Sequence, residues 1–174
     1  MIDGVRQSVE DCGLDPEVVD GALEEFTRRL LNRASSEWLQ SEPAERIALA
    51  ARALNKTIFL VNDNRLTREQ YIMFALADMM MHVEVAASLA RQAAALSAEN
   101  GPEAEKTCLF SRLFANETAV LVSGNILKIL GGSGVFDSEQ ISAFLAETSH
   151  AALADRYQNI IPDMNRAADI IFDR

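Results

Sequence analysis

The chain has 174 residues, which suits one domain and leaves little room for two. Apolar residues make up 49% of it, which excludes a disordered chain, and only 8 glycines and 4 prolines argue against a loop-rich β fold. The formal net charge of −10 disfavours nucleic acid as a partner, because phosphate recognition needs a cationic surface.

The first signals along the chain mark two helices. Asp15 followed by Pro16 places an N-cap before a proline at the first helical position, and predicts a helix over residues 17–39. Residues 1–14 precede it as a possible loose arm. A second helix is expected over residues 41–61, which a run of asparagine and aspartate then breaks.

The third helix is expected to begin at residues 67–70, where Thr-Arg-Glu-Gln has the spacing of a capping box. It continues to the Asn-Gly-Pro break at residues 100–102. Residues 71–81 contain a single charged residue, Asp78, and a helix that is apolar nearly all round is buried on several sides. We therefore expect this segment to be central in the bundle, or central in an oligomer.

The fourth helix is predicted over residues 102–130 and ends in Gly-Gly-Ser-Gly. There we expect Gly131 to adopt the left-handed conformation of a helix C-cap. Ser123 and Gly124 are small enough to let a neighbouring backbone come close. Apolar residues at helical spacing mark a core stripe. The stripe consists of Phe110, Leu113, Phe114, Leu121 and Leu127.

The last helix begins with a second capping box at residues 137–140, with a kink or break expected before Pro162. This makes about five helices, and no segment alternates with period two. Long helices with short connections predict an all-α, up-and-down helical bundle, with residues 1–174 as its single domain.

The cysteines and the apolar runs indicate in which cellular compartment the protein works. Cys12 and Cys108 lie far apart without a CxxC motif, and no signal-peptide pattern opens the chain. No apolar run reaches the ~18 residues typical of a membrane span. We therefore expect a cytoplasmic protein without a transmembrane segment, in which Cys108 is a buried, inert thiol.

Residues with metal-ligand chemistry are few. Glu147 and His150 form one Glu-x-x-His, whereas a di-iron bundle uses two such motifs. A complement would be Asp78 and His82, with Glu84 close by. We favour a simpler interpretation, with a solvated Glu147, a surface or capping His150, and His82 paired with Asp78 across one turn. No metal site is assigned.

Two further runs have plain structural interpretations. The three methionines at residues 79–81 suit adaptable packing. The glycines at residues 131–134 do not form GxGxxG and follow a helix, not a strand, so local physics predicts a tight turn there.

The segment that ends in these glycines resembles the C-terminal helical domain of the acyl-CoA dehydrogenase family. The similarity lies in residues 113–119 and 126–134, and the best match covers residues 67–136. In that family a helix ends in Gln-x-x-Gly-Gly-x-Gly, and the loop lies against the FAD of a neighbouring subunit. The resemblance thus implies cofactor-binding roles for the residues at the matching positions. They are Lys128, which replaces the glutamine, Gly131, Gly132 and Gly134.

The upstream segment is similar to one branch of that family. Residues 68–79, 88–91 and 99–102 resemble the extra C-terminal bundle of very-long-chain-type members. Roles suggested for that bundle are dimer contact and membrane association, not catalysis. The resemblance therefore implies a homo-oligomer, or the flavin domains of a longer enzyme, as partners.

The chain departs from the family where the catalytic base is often found. The family has Glu-Gly-Thr after the glycine loop, whereas residues 144–148 read Phe-Leu-Ala-Glu-Thr, so no catalytic residue is assigned. The domains that build most of the FAD pocket have no room in 174 residues. We expect a domain of an acyl-CoA dehydrogenase that is not active alone and does not bind FAD alone. The alternative is a stand-alone, non-enzymatic interaction module.

Overall fold

A computed structural model describes residues 42–97, 101–154 and 160–172. Within these ranges the chain forms six α-helices and no strand, which confirms the all-α prediction. The helix predicted over residues 17–39, the arm at residues 1–14 and Cys12 lie outside the described residues. The helices are α1 (Glu42–Asp63), α2 (Gln70–Ser97), α3 (Pro102–Gly132), α4 (Ser138–Glu147), α5 (His150–Ala154) and α6 (Ile160–Ile171).

The helices α1, α2 and α3 pack around one core. The α2 and α3 helices run antiparallel side by side, because Asn125 lies beside Ala75 near one end while Cys108 lies beside Ala93 near the other. Helices α4 and α5 close one side, and α6 packs against the first half of α3. The largest fully buried apolar side chains are Leu54, Val61, Met79, Val83, Val122, Ile126, Ile129, Leu130 and Leu153.

The start of α2 differs from the prediction. Residues Leu66–Arg68 form a 3-10 turn, closed by the amide of Glu69 donating to the carbonyl of Leu66 at 3.0 Å. Leu66 is buried and anchors the turn in the core, which leaves Thr67 exposed inside it. The predicted capping box at residues 67–70 is therefore wrong, and α2 begins at Gln70.

The end of α3 also differs. The helix continues to Gly132, and the amide of Ser133 still donates to the carbonyl of Ile129 at 3.2 Å. The buried side chains of Ile129 and Leu130 hold this last turn against the core. Gly131 is therefore helical, contrary to the prediction, and the left-handed residue is Gly134 with φ 68°.

The second capping box is confirmed. The amide of Gln140 donates to the Asp137 carboxylate at 2.8 Å, and the Gln140 side chain accepts from the Asp137 amide at 3.0 Å. The last predicted helix is interrupted at Ser149, which has φ 52° and divides α4 from α5. Residues 155–159, which directly precede α6, lie outside the described residues. Pro162 lies in the first turn of α6, where a missing amide hydrogen costs little.

The exposure of α2 corrects the expectation that residues 71–81 are buried on several sides. One face is buried, including Ile72 and Met79, while the opposite face is apolar and open. The core stripe predicted for α3 is half-buried or buried except at Leu127, which is exposed. The large exposed apolar side chains of α2 are Tyr71, Met73, Phe74, Met81 and Val85.

Two helices are long and apolar enough to cross a membrane. The expectation that no apolar segment reaches the length of a membrane span was therefore wrong. Both α2 and α3 contain an 18-residue apolar window with at most two charged residues. The bundle buries 61% of that window in α3 and 39% in α2. Core helices of other proteins pass the same test, so this is weak support for a membrane.

Candidate functional site

The candidate site is the last turn of α3 and the loop that follows. Lys128 is exposed, and its ammonium donates to Asn125 Oδ1 at 3.1 Å. Asn125 is buried and donates to the carbonyl of Ala75 at 3.5 Å. These bonds hold the charge of Lys128 beside the beginning of α2. Gly131 and Gly132 follow one turn later and are also exposed.

Gly131, Gly132 and Gly134 leave the backbone at the end of α3 and in the following loop uncovered by side chains. A Cβ atom added at Gly131, Gly132 or Gly134 would meet no heavy atom within 4 Å. Packing against the described residues therefore does not require glycine at Gly131 or Gly132. Only Gly134 is required by its backbone conformation, because φ 68° is a left-handed value that favours glycine.

The fit of this segment to FAD is partial. A flat ring or a sugar could approach the open glycines closely, and Lys128 supplies one positive charge. The backbone amides at Gly131 and Gly132 lie within the helix, and the C-terminal end of a helix carries partial negative charge. That end disfavours a pyrophosphate. The segment therefore fits an edge contact with a flavin held mainly by other groups, not a complete site.

The Glu-x-x-His pair does not form one site. The Glu147 carboxylate forms an ion pair with the ammonium of Lys56 at 2.6 Å. His150 Nε2 instead lies 2.9 Å from the hydroxyl oxygen of Ser123 and 3.1 Å from the carbonyl oxygen of Ser123. The turn at Ser149 separates the two residues onto different helices. Across residues 42–97, 101–154 and 160–172, no three histidine, cysteine or acidic side chains are grouped to hold a metal ion.

His82 has a different partner from the predicted one. Its ring stacks on Phe114 with centroids 5.5 Å apart and planes 5° from parallel, and so joins α2 to α3. Its Nδ1 is buried without a hydrogen-bond partner, while Asp78 is exposed. The predicted pairing of His82 with Asp78 is therefore wrong, because the ring turns toward α3.

The sulfur-containing residues follow the helix faces. Cys108 is a free thiol, and its Sγ lies 3.7 Å from the carbonyl oxygen of Ala93. It is half-buried, whereas the sequence analysis predicted a buried thiol. Met79 is fully buried and Met80 packs against the core, as the packing interpretation predicts. Met81 lies on the open face with 57% of its surface exposed.

A partly buried ion pair was not predicted from the sequence. The guanidinium of Arg112 donates two hydrogen bonds to the carboxylate of Asp163, each of 2.6 Å. These bonds and the nearby charge of Arg46 hold the pKa of Asp163 below its usual value, against the opposing effect of burial. The two residues are 51 positions apart, so no local signal could have joined them.

Comparison with known proteins identifies the family. A family model described as "Acyl-CoA dehydrogenase, C-terminal domain" matches residues 43–155, about two thirds of the chain. No curated protein and no solved structure matches the sequence. The match includes α1 to α5 and the glycine segment at the end of α3. The chain therefore belongs to the acyl-CoA dehydrogenase family, of which it carries the C-terminal helical domain.

Proposed function

We propose that this chain is the helical C-terminal domain of an acyl-CoA dehydrogenase-type flavoprotein of the very-long-chain type, working in the cytoplasm. Its role is to contribute contacts between subunits and at the edge of the flavin. The observation that carries the proposal is the open glycine surface beside Lys128, in a chain that belongs to this family. The alternative of a stand-alone interaction module rests on the open apolar face of α2.

The same proposal holds that the chain does not catalyse dehydrogenation alone. That reaction needs a flavin on one face of the thioester and a carboxylate on the other, both at near-attack distance. Glu147 lies in the segment where the sequence lacks the family's Glu-Gly-Thr, and 61% of its side chain is exposed on the helix surface beside Lys56. A carboxylate in that position supports ion pairing more than proton abstraction inside a closed pocket.

The test is reconstitution in trans. The flavin-binding domains of an acyl-CoA dehydrogenase are prepared without their own C-terminal bundle. Their affinity for FAD is then measured by fluorescence, first alone and then with this chain added. We expect the chain to tighten FAD binding, and Gly132→Leu to abolish the gain because the added side chain blocks the open surface. Ala95→Leu, at an exposed position of α2, is the matched control. An FAD affinity that does not respond to the chain would contradict the flavin-side role.

A further inference from the structure

The outer face of α6 is apolar and exposed. Ile161, Met164 and Ile171 are separated by three and then seven residues, so they lie on one side of the helix. Their exposed fractions are 71%, 53% and 62%. Large apolar side chains that are exposed together on one side of a helix indicate a surface that another element covers.

The contact with α3 accounts for only part of the apolar surface of α6. Ile160, Ala167 and Ile170 lie on the side of α6 that packs against α3. At about 100° per residue, these three and the exposed three together span about half of the circumference of α6. A helix with one neighbour needs an apolar stripe only about 100° wide. The width of the apolar surface therefore indicates a second neighbour for α6.

Two parts of the chain lie outside the family match, one at each end. The match ends at residue 155, before α6, and it begins at residue 43, after the helix predicted over residues 17–39. After the hydrogen bonds from Arg112, the charge of Arg46 in the second turn of α1 also lowers the pKa of Asp163 in α6. An effect of charge on charge weakens with distance, so the start of α1 lies near α6.

The connection between the predicted helix and α1 is short. Only residues 40 and 41 separate the end of the predicted helix from Glu42, the first residue of α1. The chain can span at most about 11 Å from residue 39 to residue 42. A segment tethered this closely has an effective concentration on the order of millimolar at a neighbouring surface, which favours it over a separate molecule.

The sequence of residues 17–39 contains an apolar stripe that suits the outer face of α6. Val19, Leu23, Phe26 and Leu30 are spaced by four, three and four residues, so a helix places them on one side. With the half-buried Ala168 included, the outer face of α6 has spacings of three, four and three. Alternation of three and four on both partners is the pattern of helices that pack side by side.

We propose that residues 17–39 cover the outer face of α6, with the stripe from Val19 to Leu30 packed against Ile161, Met164 and Ile171. The two parts of the chain outside the family match then complete each other beside the matched helices. This inference goes beyond the flavin-side role and does not depend on it, because none of these residues belongs to the glycine segment.

The experiment is cysteine cross-linking in the full chain. Cys12→Ser and Cys108→Ala first remove the native thiols. Met164→Cys is then combined in turn with Leu23→Cys, Phe26→Cys and Leu30→Cys, and a mild oxidant is added at low protein concentration. We expect at least one pair to form a disulfide within one chain, identified by non-reducing electrophoresis and peptide mass. Asp169→Cys, on the exposed polar side of α6, is the matched control and should cross-link roughly tenfold more slowly, because its Cβ points away from the stripe.

The rate of thiol alkylation supplies the second measurement. Adding Phe26→Asp and Leu30→Asp should speed alkylation of Met164→Cys roughly tenfold, because the stripe no longer covers it, and should leave Asp169→Cys unchanged. Circular dichroism and the melting midpoint of each variant establish that it is folded. Disulfides that join two chains instead of forming within one would assign the face to a second copy and overturn the proposal. It would also be overturned if no disulfide formed within the chain and Met164→Cys reacted as fast as Asp169→Cys.

Discussion

Arg112 on α3 and Asp163 on α6 join through two hydrogen bonds, from Nε to Oδ2 and from Nη2 to Oδ1, each of 2.6 Å. Asp163 is buried, while about a third of the Arg112 side chain remains exposed. Farther along the same helices, Arg166 and Glu105 form an exposed ion pair at 2.8 Å. Because an exposed pair contributes little, the partly buried pair does more than the exposed pair to hold α6 against α3.

Replacing the buried carboxylate should destabilise the chain. We expect Asp163→Asn to lower the free energy of unfolding by about 1–2 kcal/mol at pH 7, because Arg112 loses a charged bidentate partner. Urea unfolding checks this value. Glu105→Gln, at the exposed pair, is the matched control and should leave the free energy of unfolding nearly unchanged, because solvent screens that pair.

The contribution of Asp163 should depend on pH in one direction. The pKa of this carboxyl is lower in the folded chain than the ordinary value of about 3.9 in the unfolded chain, because Arg112 hydrogen-bonds its charged form. Its stabilisation is therefore fully present above about pH 4 and is lost as the pH falls through the folded pKa. The difference in unfolding free energy between wild type and Asp163→Asn should shrink below that pH. A difference that grew on acidification would show that the sign is wrong.

Two glycines of the candidate site should respond in opposite directions to the same substitution. Gly134→Ala should lower the unfolding free energy by about 1 kcal/mol, because φ 68° is strained for a residue with a Cβ. Gly131→Ala should raise it by about 0.5–1 kcal/mol, since Gly131 is helical and an added Cβ meets open space. Thermal melts of the two variants decide the point, and a destabilised Gly131→Ala would restore Gly131 as the left-handed residue.

The neighbouring methionines of α2 should separate the buried face from the open one. Met79→Ala should cost about 2–5 kcal/mol, because Met79 is fully buried and its removal leaves a cavity. Met81→Ala should cost less than ~1 kcal/mol in the monomer, since its side chain is 57% exposed. Chemical unfolding of both variants at low protein concentration gives the comparison. Equal losses would mean that the open face is covered within one chain.

The purified chain should not oxidise acyl-CoA thioesters, even with FAD and an electron acceptor added. The glycine segment offers a flavin only an edge contact, and Glu147 is on the surface in an ion pair with Lys56. The measurement is an acceptor-dye assay with short, medium and long acyl-CoAs at high protein concentration. Turnover that survives repurification and disappears in Glu147→Gln would make Glu147 a catalytic base and end the non-catalytic interpretation.

The sequence by itself determines the class of fold and most of the helix bounds in the described residues. Composition and the 3.6-residue period require helices, and the capping box at Asp137 and Gln140 forms as the local pattern predicts, because both partners lie within one turn. The glycine segment at the end of α3 was also identifiable, because its resemblance to the acyl-CoA dehydrogenase family lies in adjacent residues.

Only the tertiary structure decides which partner a side chain meets when several are possible. Thr67 had the spacing of a cap, but burial of Leu66 turned that segment into a 3-10 turn. His82 had Asp78 one turn away, yet its ring stacks on Phe114 of another helix. Local patterns report hydrogen bonds between near neighbours, whereas these outcomes depend on apolar burial between helices that are distant in the chain.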